Sequence, residues 1–238
     1  MRLSLVVPLF NEEKNIAPLV EQVCSVLAAM PEPDYELLLV NDGSTDGTET
    51  AIEALAASDG RIRPVHLAGN QGESAALLAG FSAARGDLII TMDGDLQNDP
   101  ASIPPVVKLL ASFDCVCGYR VGRRDVLMKR LASWFGNRVS RAMFGAAVRD
   151  AGCGLKGFRR ECVAGIPSFN GVHRFLPIVV AMGGFSIAEC ATIHHPRVSG
   201  KSKYGIRDRL FRYICDLAGV RWLQSRHLKV RLRESPHV

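Results

Sequence analysis

The sequence predicts an α/β fold, a mostly parallel sheet covered by helices on both faces. Through the first 120 residues, apolar strand-like runs alternate with segments of helical period, the pattern of parallel strands joined by helical crossovers. The composition, 47% hydrophobic and 22% charged, supplies a real core and excludes a disordered chain. Polar and acidic residues collect just after the apolar runs, where open α/β sheets bind their ligands.

Residues 3–8 are the first apolar run. Segment 12–30 has helical spacing, with Ile16, Leu19, Val20, Val23 and Leu27 on one side and Asn11 placed to cap its start. Residues 36–40 form the second run, which ends in Asn41-Asp42-Gly43-Ser44; a helix opening at Thr45 or Asp46 then runs to residue 58. A strand at 61–67, an Ala- and Leu-rich helix at 71–84, a strand at 87–92, a helix at 101–112 and a strand at 114–119 complete the alternation. The second half is less regular. It reads as a very basic helix at 126–144, a return to the sheet at 152–158, a helix at 172–182, a strand at 185–193 and a polar loop at 197–205. Segment 206–223 is an amphipathic helix with Ile206, Leu210, Tyr213, Ile214, Leu217 and Val220 on one stripe, and residues 224–238 are a basic tail. The expected organisation is one domain, residues 1–205, with halves 1–119 and 120–205, followed by a helix and tail at 206–238.

The N-terminus enters a strand at once, without a charged-then-apolar leader, and no stretch approaches the ~18 uninterrupted apolar residues of a membrane span. The expectation is a cytoplasmic chain, peripheral at the cytoplasmic face of a membrane. Seven scattered cysteines, with neither a CxxC nor a zinc-like Cys/His spacing, read as free thiols. Cys115 and Cys117 are expected on opposite faces of their strand. His194 and His195 are adjacent on a strand and point apart, so they do not share an ion.

Net charge is +5, unevenly spread: residues 1–119 carry 6 Lys and Arg against 17 Asp and Glu, residues 120–238 carry 23 against 7. An acidic half suits a cation site and a basic half an anion-facing surface, although two solvated faces fit the same count. A nucleic-acid partner is not expected, because it leaves the acidic half and its strand-end carboxylates unexplained.

The sharpest motif is Asp93-Gly94-Asp95, directly after the fourth strand. Two carboxylates joined by a glycine can turn toward one hard cation, Mg²⁺ or Mn²⁺, which neutralises a leaving diphosphate; a surface turn is the competing reading. Asn41-Asp42-Gly43-Ser44-Thr45 also follows a strand and opens a helix. Its carboxylate can accept hydrogen bonds from a base or ribose, with Ser44 and Thr45 capping. The first strand ends in Pro8, with neither GxGxxG nor GxxxxGK[ST], which excludes dinucleotide and P-loop sites there.

Taken together in this order, these motifs resemble the family 2 glycosyltransferases of the GT-A fold. Further stretches extend the likeness: Asn70-Gln71-Gly72-Glu73-Ser74-Ala75-Ala76, Ala84-Arg85-Gly86-Asp87, Asp95-Leu96-Gln97-Asn98-Asp99-Pro100, Gly118-Tyr119-Arg120, 150–159 and Arg197-Val198-Ser199-Gly200-Lys201-Ser202-Lys203-Tyr204. They are similar to the polyprenyl-phosphate branch typified by dolichol-phosphate mannose synthase, over residues 3–205. The resemblance implies a Rossmann-like sheet and inverting transfer of a hexosyl group from a nucleotide-sugar, GDP-mannose or a UDP-sugar, to polyprenyl phosphate. It implies that Pro8, Leu9, Asn11, Glu12, Asp42 and Ser44 hold the nucleoside end of the donor. By the same resemblance Asp93, Gly94 and Asp95 meet its diphosphate, Asp93, Asp95 and Gln97 hold the metal, and Arg197, Ser202 and Lys203 close over the diphosphate. Arg120, with Arg124, Arg130, Ser133 and Asn137, would meet the acceptor phosphate, and Asp93, Asp95 and Arg120 would be catalytic. Asn98-Asp99 stands where the branch often has His-Pro, and the anchor that many relatives carry after the catalytic domain is not seen, which leaves attachment to an anionic membrane surface or to a separate anchoring protein.

The residues support an anionic acceptor independently. From Arg120 to Arg160 there are eleven Lys and Arg and two Asp, beside Trp134 and Phe135, a mixture suited to a lipid phosphate headgroup. A soluble saccharide or protein hydroxyl is the alternative acceptor. It would need a general base, for which Asp150 is the candidate. A non-catalytic nucleotide-sugar-binding partner of a membrane protein is a further alternative.

Overall fold

The computed structural model describes residues 2–31, 34–121, 148–196 and 206–228. The chain divides into two compact units, Met1–Lys203 and Tyr204–Val238. The first is a seven-stranded sheet in the order β3-β2-β1-β4-β6-β5-β7. Its strands are β1 (Leu3–Leu9), β2 (Tyr35–Asn41), β3 (Ile62–His66), β4 (Leu88–Thr91), β5 (Cys115–Val121), β6 (Lys156–Arg159) and β7 (Ile187–Ile193). All neighbours run parallel except β6, which is antiparallel to both β4 and β5. The predicted α/β architecture is therefore present, with one reversed strand inserted beside the centre.

Helices α1 (Glu13–Ala28), α2 (Thr48–Ser58), α3 (Glu73–Ala83) and α4 (Ile103–Leu110) cover the sheet. The stripe read from the sequence is the one α1 buries: Ile16, Leu19, Val20, Val23 and Leu27. β2 is buried along its whole length, as a strand covered on both faces must be. Helix α3 packs on β1 and β2 at a distance set by glycine. A Cβ on Gly80 would lie 2.2 Å from Cγ1 of Val6, so no larger residue fits between helix and strand.

Several boundaries differ from the sequence expectation, each for a local reason. Asn11 does not cap α1; Glu12 holds the cap position, and Asn11, at φ +56°, reaches instead into the loop after β2. Helix α2 opens at Thr48, and its first N–H is taken by Asp46 Oδ1 at 3.1 Å, not by Ser44 or Thr45. β6 begins only at Lys156, because residues 150–154 turn, with Cys153 N–H donating to the Asp150 carbonyl at 3.1 Å. The helix expected at 172–182 is split into a 3-10 turn, Val172–Arg174, and α6 (Leu176–Met182), after a short α5 (Arg160–Val163). Pro177 stands in the first turn of α6, where its missing N–H has no helical partner to lose. β7 starts two residues late, behind Gly184 at φ +87° and a Ser186 tied to Asp114. Cys115 and Cys117 share a face, with sulfurs 3.8 Å apart, because residues two apart on a strand point the same way. The expected basic helix at 126–144 and polar loop at 197–205 lie outside the described residues, as does most of the tail. In the second unit a helix, α7, spans Ile206–Arg226; its side chains up to residue 214 lie outside the described residues, so of the expected stripe only Leu217 and Val220 are described, and both are buried.

At the amino ends of the strands, Glu36 ties the sheet together. Its side chain is 1% exposed and accepts from Ser4 Oγ, Arg63 Nη1 and Arg85 N–H, each at 2.6 Å. Burial raises the carboxyl's pKa, but the bonds from Ser4, Arg63 and Arg85 outweigh it and hold it below the ordinary value. Glu36→Ala should cost about 3 kcal/mol in chemical denaturation, because it strands a charge and several donors. A carboxylate held low stabilises the fold above its unfolded value and loses that contribution as pH falls through the folded one. The stability gap between wild type and Glu36→Gln should therefore narrow on acidification.

Candidate functional site at the carboxyl ends of β1, β2 and β4

Two loops, one after β1 and one after β2, are bonded to each other. Asn11 N–H donates to Ser44 Oγ at 3.0 Å, and Thr45 N–H donates to Asn11 Oδ1 at 2.8 Å. Glu12 N–H donates to Thr48 Oγ1 at 2.9 Å, and Glu12 Oε2 accepts from Asn15 Nδ2 at 2.5 Å. Asp42 is buried and pins a third loop: it accepts from Gln71 N–H at 2.8 Å, Gly72 N–H at 2.9 Å and Asn70 Nδ2 at 3.1 Å. Gly43, at φ +64°, lets these loops touch, since a Cβ there would lie 2.3 Å from the Gly69 backbone. The wall that carries Asn11, Glu12, Asp42 and Ser44 is thus built before any ligand arrives.

The acidic pair follows β4. Met92 N–H makes a last bond to the Val6 carbonyl, at 3.1 Å. A Cβ on Gly94 would sit 2.3 Å from Leu9 Cδ2 and 3.2 Å from the Pro8 carbonyl, so the glycine between the two carboxylates packs directly on the end of β1. Asp95 Oδ1 accepts from Gln97 N–H at 3.1 Å across Leu96, which is left-handed at φ +62°. The structure therefore gathers Pro8, Leu9, Asn11, Glu12, Asp42, Ser44, Asp93, Gly94 and Asp95 at adjoining strand ends. Gln97 faces another way: its Nε2 donates to the His195 carbonyl at 3.3 Å, and its own carbonyl accepts His195 N–H at 2.8 Å.

Asp93 is the electrostatic centre. Burial pushes its pKa up to about 7, the Glu73 and Asp95 carboxylates push the same way, and Lys156 and Arg120 pull against them. Such a cluster is stabilised by a cation, and its donors are hard oxygens, the set that suits Mg²⁺ or Mn²⁺. Among the described residues no three Asp, Glu, His or Cys side chains converge on one point. A cation on Asp93 and Asp95 would fill its remaining positions with water and phosphate oxygens, the usual habit of Mg²⁺.

Sequence reasoning left out the residues behind Asp93. A Cβ on Gly154 would fall 2.2 Å from the Asp93 carboxylate, so only glycine lets the turn before β6 close on it. Lys156, 4% exposed, donates its ammonium to the Cys153 carbonyl. The available signal was a lysine inside the apolar run Leu155-Lys156-Gly157-Phe158, since a buried lysine implies a buried anion.

Arg120 is held differently from the expectation. Its Nε and Nη2 donate to Asp150 Oδ2 and Oδ1 at 2.6 and 2.8 Å. Burial disfavours its charge, but Asp150 outweighs that and raises its pKa. Two donors expected for an acceptor phosphate are therefore committed to a carboxylate. Arg124, Arg130, Ser133, Asn137, Arg197, Ser202 and Lys203 lie outside the described residues.

The family model for glycosyl transferase family 2 matches residues 4–164. A dodecaprenyl-phosphate galacturonate synthase of Rhizobium johnstonii is 42% identical over 92% of this chain and 66% of its own. An undecaprenyl-phosphate 4-deoxy-4-formamido-L-arabinose transferase of Shewanella sediminis is 36% identical over 85% of this chain and 61% of its own. The chain thus spans about two thirds or less of the length of these relatives. Among solved structures, glucosyl-3-phosphoglycerate synthase from Mycobacterium tuberculosis superposes with TM-score 0.69 at 20% identity, covering 94% of this chain and 79% of that one. A mannosyltransferase from Pyrobaculum calidifontis in complex with GDP-Man and Mn²⁺ gives 0.66 at 18%, covering 92% and 63%. These structures share the fold.

The raised Asp93 carboxyl has a measurable consequence. A carboxyl raised from 3.8 to about 7 costs nothing below its unfolded value, and destabilises the fold progressively as pH climbs through the folded one. Without divalent cation, Asp93→Asn should melt about 3 °C or more above wild type at pH 8, and level with it at pH 4. Saturating Mn²⁺ should raise the melting temperature of wild type alone.

Proposed function

The chain belongs to glycosyl transferase family 2, and we propose that it transfers a hexosyl group from a nucleotide-diphospho-sugar to polyprenyl phosphate, with inversion at the anomeric carbon. The observation that carries this reading is the half-buried Asp93 and its partner Asp95 at the end of β4, beside a preformed wall of Pro8, Leu9, Asn11, Glu12, Asp42 and Ser44. On this account the wall receives the nucleoside, and the carboxylate pair receives the diphosphate through a cation. A divalent cation held by Asp93 and Asp95 would supply neutralisation of the charge that builds on the leaving diphosphate; Gln97, turned to His195, is not among its ligands. Mn²⁺ in complex with the Pyrobaculum enzyme supports that choice.

The acceptor side favours an anion. A hydroxyl acceptor needs a base, and both oxygens of Asp150 accept from Arg120, which holds the carboxylate as an ion-pair partner. A phosphate is already a nucleophile and needs only to be held near the sugar carbon. Arg120, rigidly oriented by Asp150, would offer its remaining edge to that phosphate, with Arg124, Arg130, Ser133 and Asn137 beside it. Arg197, Ser202 and Lys203 would close over the donor. The printed names of the Rhizobium and Shewanella relatives, both polyprenyl-phosphate enzymes, support the same acceptor.

An isoprenoid acceptor puts the reaction at a membrane surface. Among the described residues no helix is long and apolar enough to cross one. The basic second half, 23 Lys and Arg against 7 Asp and Glu, would bind the anionic cytoplasmic leaflet or an anchoring partner.

The test is transfer itself. Purified chain, Mn²⁺, polyprenyl phosphate in detergent and a panel of labelled nucleotide-sugars should carry label into organic solvent from one donor. EDTA should abolish it, and Asp95→Ala should reduce it at least about a hundredfold with folding intact. Near-normal transfer by Asp95→Ala, or label passing only to a soluble saccharide, would overturn the proposal.

A further inference from the structure

One turn touches both halves of the site. Residues 150–154 run from Asp150, whose oxygens take Nε and Nη2 of Arg120 at 2.6 and 2.8 Å, to Gly154, on which the Asp93 carboxylate rests. Gly154 has no room for a side chain: a Cβ there would meet that carboxylate at 2.2 Å. Midway, a Cβ on Gly152 would come 3.6 Å from Arg120 Nη2. The carboxylate of the donor side and the guanidinium of the acceptor side thus lean on the same short turn.

The turn is tied down at each carbonyl on its way into β6. The Cys153 carbonyl accepts from the Lys156 ammonium, the Gly154 carbonyl from Thr91 Oγ1 at 2.8 Å, and the Leu155 carbonyl from Gly118 N–H at 2.9 Å. The last two donors stand on β4 and β5, the strands on either side of β6. The first donor is the unusual one. A backbone carbonyl needs only a neutral partner, and an ammonium is costly to bury. Lys156 is buried all the same, opposite Thr91 on β4 and Cys117 on β5. The anion beside the turn offsets that cost, since the Lys156 charge bears on Asp93. A side chain so placed holds the turn by its hydrogen bond and favours a carboxylate against Gly154 by its charge.

We propose that Lys156 is a positioning residue of the transfer reaction: its bond to the Cys153 carbonyl fixes the turn 150–154, and through that turn it sets Arg120 toward the acceptor phosphate at a fixed distance from Asp93. The proposal rests on the transferase reading above. Thr91 is the neutral member of the same lock. Loosening the turn at either point lets Asp150 shift, and a guanidinium gripped by both carboxylate oxygens shifts with it. A displacement of ~1 Å at the phosphate is enough to slow transfer about a hundredfold.

The test separates the turn from the charge. Polyprenyl phosphate in detergent is titrated calorimetrically into metal-free protein, and Mn²⁺ affinity is read by electron paramagnetic resonance. Lys156→Met should weaken polyprenyl phosphate about tenfold, the worth of a hydrogen bond made by a charged group. Thr91→Val, which removes no charge, should weaken it about threefold. In an Arg120→Ala background, neither substitution should cost anything further. Unchanged polyprenyl phosphate affinity in both variants, or an equal loss with Arg120 already removed, would overturn the proposal and leave the transferase reading in place. A Lys156→Met protein that changes only in Mn²⁺ affinity would overturn it too, because charge alone then accounts for the residue. If Lys156→Met does not fold, Thr91→Val with and without Arg120 gives the same decision. A wild type without affinity for polyprenyl phosphate overturns the transferase reading as well.

Discussion

A half-buried carboxylate repelled by other carboxylates is the constraint around which this site is built. Asp93 sits at the end of a central strand with Glu73 and Asp95 as like-charged neighbours. Burial and repulsion both oppose its charge, and the surrounding sequence answers each. Gly94 lets the pair pack on the end of β1, and Gly154 lets the turn before β6 close against the carboxylate. Lys156 and Arg120 supply buried positive charge from two neighbouring strands. The reversed strand β6 carries Lys156 into the core directly across from Thr91. An arrangement that tolerates repulsion at its centre is poised for a cation, which relieves the repulsion and recruits a diphosphate in the same step.

The rest of the donor side is made rigid in advance. Asp42 uses both oxygens on one loop, and Asn11 stitches two others together. The chain therefore spends its polar side chains on shaping loops, and ligand-facing groups stand on a frame that does not need to reorganise on binding. At the opposite strand ends, the Glu36 network anchors β1, β2 and β3, so the sheet that presents the site is tied at both ends.

Much of this was legible in the sequence because it is local. The strand-helix alternation, the stripe of α1 and the motifs after β1, β2 and β4 depend on neighbours within a few residues. The failures were of two kinds. Asn11 was read as a helix cap because its sequence neighbours suit one, yet its bonds go to Ser44 and Thr45, more than thirty residues away. Arg120 was placed at the acceptor phosphate by its Gly118-Tyr119-Arg120 motif, but its pairing with Asp150, thirty residues on, was not legible there. Ser74 and His173 are 99 residues apart, and only the folded chain brings Oγ and Nδ1 within 2.7 Å. The misplacement of Cys115 and Cys117 was of another sort, an error of strand period and not of missing information.

The central claim is that Asp93 and Asp95 hold a divalent cation together with the donor diphosphate. The most direct measurement is Mn²⁺ affinity by electron paramagnetic resonance, with and without a nucleoside diphosphate, UDP and GDP in turn. Linkage requires that if the nucleotide tightens Mn²⁺, Mn²⁺ tightens the nucleotide by the same factor. The account predicts that one nucleotide tightens Mn²⁺ by about tenfold or more, and that Asp93→Asn and Asp95→Asn lose the effect. Equal Mn²⁺ affinity with and without either nucleotide, in protein that binds the nucleotide as well in EDTA, would contradict it.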